Sequence, residues 1–83
     1  MGQADDLDIC LESLSPLAWR LLRVAAEYEQ REVEDELDDI LQAHISMLEN
    51  NNRSLSQSQL EQLFSLYASH LESEQILAIT KNY

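Results

Sequence analysis

The chain reads as an all-α protein, a small three- or four-helix bundle built around one long central helix that is either continuous or kinked near Gln30. Three observations predict this. Apolar residues recur at three- and four-residue steps through most of the chain. Glycine and proline occur once each, at Gly2 and Pro16. Helix-start signals stand at Ser15-Pro16 and at Ser56 with Gln59. The 83 residues make one helical domain, 1–83, of a size that buries only about 60 to 65% of its unfolded surface.

A first helix is expected over 6–14. Asp5 and Asp6 lie at its start, where the helix dipole favours acids. Leu7, Cys10, Leu11 and Leu14 then share one face. Cys10 falls inside that stripe and reads as a small buried hydrophobe, because no cationic neighbour in the local sequence would activate its thiol. Ser15 caps the next helix and Pro16 occupies its first position, where a missing amide costs nothing. Leu14 and Trp19 are spaced for a hydrophobic staple across that start.

The second helix is expected over 16–49. Its apolar stripe runs through Leu17, Leu21, Val24, Ala25 and Tyr28, widened by Ala18 and Leu22. It resumes five residues later at Val33 and continues through Leu37, Ile40, Leu41, His44, Met47 and Leu48. A step of five turns the apolar face by about 140°, so the helix either presents two faces or breaks near Gln30. Strong helix formers from Glu27 to Glu36 favour continuity, which would make a rod of roughly 50 Å. Asn50, Asn51, Asn52 and Arg53 end it, asparagine tolerating the left-handed conformation that closes many helices.

A third helix is expected over 57–72, burying Leu60, Leu63, Phe64, Tyr67 and Leu71. The short turn before it predicts antiparallel packing on the second half of the long helix, with the N-terminal helix covering the first half. Ser73 caps a last helix over 74–80. Apolar groups remain on two sides of the long helix, so a homodimer is expected to cover them.

Sixteen acidic residues against five basic ones give a formal charge of -11. Arg20, Arg23, Arg31, Arg53 and Lys81 are scattered singly, which argues against direct binding of nucleic acid. An anionic membrane surface would repel the chain, and no apolar run approaches the roughly 20 residues of a membrane span. Residues Met1 to Asp8 contain no apolar signal region, so a cytoplasmic location is expected. A lone cysteine forms no intramolecular disulfide.

Neither an EF-hand loop nor a metal-binding pair of histidines is present in the pattern. His44 lies on the apolar stripe and reads as a hydrogen-bonded core histidine, and His70 as an exposed ion-pair partner of Glu74. Without a glycine-rich loop or a nucleophile motif, no cofactor and no catalysis are expected.

The segment Glu27 to Asp39 carries the functional signal, since eight of its thirteen residues are acidic and only Arg31 opposes them. Glu29, Glu32, Glu36 and Asp39 would form one row along a helix, with Val24, Tyr28 and Val33 as exposed apolar groups beside it. Acids steer a cationic partner and apolar groups supply most of the affinity. The expected function is a non-catalytic protein–protein interaction module, a small acidic regulator or adaptor for a basic or amphipathic partner surface. Two alternatives stand beside it: a DNA mimic inhibiting a nucleic-acid-binding protein, since a continuous acidic helix approaches the charge density of duplex DNA, and a self-assembling structural protein.

Overall fold

The structure, a computed structural model, describes residues 10–51 and 55–83. Among them the chain forms a 3₁₀ turn at Leu11–Ser13 and five α-helices: α1 (Pro16–Ala25), α2 (Gln30–Glu36), α3 (Gln42–Glu49), α4 (Gln57–Ala68) and α5 (Ser73–Asn82). No strand occurs among the described residues.

The expected 16–49 helix is replaced by three helices. A rod of roughly 50 Å has no place in a body of 29 × 22 × 21 Å. The first break is a helix-ending turn of the Schellman type. Glu27 takes φ 67°, its amide donates to the Val24 carbonyl at 2.9 Å, and the Tyr28 amide donates to the Arg23 carbonyl at 3.1 Å. Glutamate seldom occupies this left-handed position, which costs a residue with a Cβ about 1–2 kcal/mol. The Arg23 guanidinium holds the turn from outside by donating to the Tyr28 carbonyl oxygen at 2.8 Å.

The second break runs from Leu37 to Leu41, both extended. Asp38 and Asp39 form the turn between them, as aspartate's competing backbone interactions favour. Two orphan amides at the start of α3 find side-chain acceptors: Leu41 donates to Nδ1 of His44 at 3.1 Å, and Gln42 to Oε1 of Glu34 at 3.0 Å. The reversal lets α3 pack on both α1 and α2, which one straight helix cannot do.

Helix α1 is the hub and also meets α4 and α5. Its buried face is Ala18, Trp19 and Leu22, continued by Ala26, while Leu17 and Val24 of the expected stripe are exposed. A helix apolar around most of its circumference leaves that phase to its neighbours. Trp19 sits edge-on to Phe64 and Tyr67, with ring centroids 6.5 and 6.4 Å apart. Its indole N–H is buried without an acceptor among the described residues. Leu14 joins Trp19 in the same core, as the staple requires.

Ser15 caps α1 by accepting the Ala18 amide at 3.0 Å, and its hydroxyl donates to the Tyr83 carbonyl oxygen, tying the start of α1 to the end of α5. Ser56 and Gln59 form the expected capping box, with bonds of 3.2 and 2.9 Å. Asn51 takes the left-handed conformation after α3, with φ 67°.

Several boundaries and contacts differ from expectation. The described part of the first expected helix is only the 3₁₀ turn, which packs on α4 rather than along α1; residues 6–9 of that helix lie outside the described residues. Helix α4 ends at Ala68, four residues early, with Ser69 as its C-cap. Its principal neighbours are the 3₁₀ turn and α1 rather than α3. Glu72, not Ser73, caps α5, its amide donating to Oε1 of Gln75 at 2.8 Å. No described helix is long and apolar enough to cross a membrane.

Candidate functional site

The acidic segment begins where α1 ends. After the turn at Glu27, Glu29 is extended and caps α2, its amide donating to Oε1 of Glu32 at 2.8 Å. Glu36 is the last residue of α2, and Asp39 lies in the following turn. The expected row of Glu29, Glu32, Glu36 and Asp39 is therefore divided among a cap, a two-turn helix and a loop. All four side chains belong to exposed residues. The straight line of charge on which a DNA-like row depends is not formed.

The three apolar residues expected beside the acids separate. Val33 is 0% exposed and belongs to the core, which corrects its assignment to the surface. Val24 is 54% exposed on the outer side of α1. Tyr28 is half-buried, its ring 6.4 Å from that of Tyr67 and 5.3 Å from that of His70. The Tyr28 hydroxyl and His70 Nε2 are 3.0 Å apart, so His70 meets Tyr28 rather than the expected Glu74. Partial desolvation raises the Tyr28 phenol above its ordinary value, and the charges of Glu36 and Glu32 add to the shift.

Behind this surface lies the one salt bridge among the described residues. Arg23 grips Glu49 through two bonds, Nε to Oε2 at 2.8 Å and an η nitrogen to Oε1 at 3.1 Å. Gln30 adds a bond to Oε1 of Glu49 at 3.1 Å. These contacts join α1, α2 and α3 at one point. The Glu49 bond, followed by its charge, raises the Arg23 pKa against the opposing effect of burial. Burial also raises the Tyr67 phenol far above its ordinary range, with Glu49 adding to it and Arg23 opposing.

On the other side of the acidic loop an open groove of about 640 Å³ runs between Leu37 and the outer face of α4. Ser58, Glu61, Gln62, Ser65, Leu66 and Ser69 complete its lining. The Gln59 side-chain amide donates to the Asp39 carbonyl at 3.1 Å and pins the loop to the start of α4. The groove is a product of the second helix break, and the adjacent Asp38-Asp39 pair was its only local signal. The Tyr28–His70 and Arg23–Glu49 pairs, 42 and 26 residues apart, have no local signal.

His44 is half-buried and accepts the Leu41 amide, so it acts as a helix-start acceptor. Cys10 is exposed rather than buried, because the described chain there is extended and enters a 3₁₀ turn. Hydrogen bonding from the Ser13 side chain, then its backbone, lowers the thiol pKa. Among the described residues no group of three or more His, Cys, Asp or Glu is placed to hold a metal ion.

Residues 7–60 match a protein family described as "Domain of unknown function (DUF8599)". No curated protein and no solved structure matches the chain significantly.

Proposed function

The chain belongs to this family, and from that premise we propose that it is a non-catalytic protein-interaction module, a small acidic regulator or adaptor that binds a basic partner surface. One observation carries the reading. Glu27, Glu29, Glu32, Asp35, Glu36, Asp38 and Asp39 are all exposed on one short segment, and the single described salt bridge engages none of them. A summed field of this kind speeds encounter with a cationic surface and is screened by salt. The bonds from the Glu29 amide to the Glu32 carboxylate and from the Gln59 side-chain amide to the Asp39 carbonyl hold the segment's shape, so the charges arrive preorganised.

Affinity capture with the whole chain at low and moderate salt tests this, alongside a variant carrying Glu29→Gln, Glu32→Gln, Glu36→Gln and Asp39→Asn. A basic partner retained at low salt, and lost both at higher salt and with the variant, is the expected result. Capture indifferent to both changes removes the reading. A retained set made up of DNA-binding proteins would favour the DNA-mimic alternative.

A second reading, self-association into a homodimer or larger assembly, draws on the exposed Leu17 and Val24 of α1. Sedimentation across a concentration series decides it, a strictly monomeric species at high concentration excluding it.

A further inference from the structure

The groove between Leu37 and α4 supplies what an acidic surface alone lacks, an apolar seat. Its floor is the half-buried pair Leu37 and Leu66. Ser58, Gln62, Ser65 and Ser69 follow one another along α4 at steps of four, three and four, so they occupy one side of the helix. Three of the four are serines, which are too short to close over the leucines. From Ser58 to Ser69 this side extends roughly 16 Å, room for about three turns of a second helix.

The one charged residue lining the groove is acidic. That residue is Glu61, and Glu36 at the end of α2 and Asp38 and Asp39 in the turn flank Leu37 in the chain, all four exposed. No Lys or Arg lines it. We infer that this groove seats a cationic amphipathic helix of a partner protein, leucine-like side chains on Leu37 and Leu66 and lysine or arginine side chains toward Glu36, Asp38, Asp39 and Glu61. The inference rests on the proposed interaction function and names the place and chemistry of the contact.

A second copy of this chain does not fit the same seat. Each copy carries a formal charge of -11, and its five basic residues are dispersed, with Arg23 engaged by Glu49. Residues 1–9 fit no better, having three aspartates and no lysine or arginine.

The test is an amide-resolved NMR titration of the whole ¹⁵N-labelled chain with a synthetic amphipathic peptide of about 14 residues, leucines at helical i, i+3 and i+7 spacing and lysines elsewhere. A glutamate counterpart is the control. Ser65→Arg, at an exposed position, fills and recharges the groove without touching the core. Expected are shifts concentrated at Leu37, Ser58, Ser65, Leu66 and Ser69, no binding of the glutamate peptide, and at least about tenfold weaker binding to Ser65→Arg.

Salt-sensitive binding of the lysine peptide, with shifts elsewhere and no effect of Ser65→Arg, overturns the groove and leaves the basic-partner reading standing. Equal binding of both peptides overturns the charge argument. No binding of the lysine peptide at low salt overturns this inference, while the capture experiment decides the parent reading separately.

Discussion

Arg23 and Glu49 form a two-bonded ion pair across 26 residues, at 2.8 and 3.1 Å, with side chains only 12% and 4% exposed. The same guanidinium holds the Tyr28 carbonyl, and the same carboxylate takes the Gln30 amide. One pair thus fastens the turn after α1 to the start of α2 and the end of α3. Removing either partner leaves a desolvated charge or orphaned polar groups behind.

Arg23→Met is accordingly expected to destabilise the fold by about 3 kcal/mol, the effect of stranding a buried charge. Adding Glu49→Leu should recover a large part, since an apolar pair of similar volume needs no counterion. Urea unfolding of the single and double variants measures both. Equal loss in the two would show that packing of the Arg23 stem, not its charge, matters most.

Glu27 sits at φ 67°, where glycine carries no Cβ penalty. Glu27→Gly should therefore raise stability by about 0.5–1 kcal/mol, and Glu27→Val should lower it by about 1–2 kcal/mol. Thermal unfolding of the two variants reads the sign directly. If α1 and α2 were continuous in solution, glycine would be the destabilising substitution.

Val33 and Val24 test the division between core and surface. Val33→Ala deletes fully buried carbon and should cost about 2 kcal/mol. Val24→Ala, on the open side of α1, should change stability by less than about 0.5 kcal/mol. Chemical denaturation of both variants is sufficient to compare them.

Tyr67 is expected to set the alkaline limit of the fold. Its folded pKa is raised, chiefly by burial, so above the ordinary tyrosine value of about 10 the unfolded chain loses this proton while the folded chain keeps it. Stability from this group is complete below that pH and is lost progressively as pH rises toward the folded value. A circular-dichroism titration should show Tyr67→Phe tolerating higher pH than the parent. Coincident alkaline limbs would place the transition elsewhere.

Much of the architecture was legible because its determinants are local. Ser15-Pro16, the Ser56 and Gln59 box and the left-handed Asn51 each depend on a few neighbouring residues, and each stands where the pattern placed it. The α4 face of Leu60, Leu63, Phe64 and Tyr67 was readable from its spacing, since all four are buried. The five-residue step from Tyr28 to Val33 marked a real discontinuity, but helix propensity argued wrongly for continuity. Residue preferences of a few tenths of a kcal/mol do not outweigh the burial of Val33 and Ile40.

Of the surface chosen from sequence, Glu29, Glu32, Glu36, Asp39 and Val24 are exposed, Tyr28 is half-buried and Val33 belongs to the core. The groove beside Asp39 left no trace in the sequence beyond the Asp38-Asp39 pair, because it exists only once the chain reverses between Leu37 and Leu41.

The sequence by itself determined an all-helical, strongly acidic chain, with its clearest helix starts and most of its α4 core, since these follow from side chains acting within one or two turns. Tertiary structure alone decided where the central segment breaks and which side of α1 is buried. It also decided that Arg23 meets Glu49, Tyr28 meets His70, and Leu37 faces α4. Those outcomes depend on contacts between residues far apart in the chain, whose combined burial and hydrogen bonding exceed the local preference for one unbroken helix.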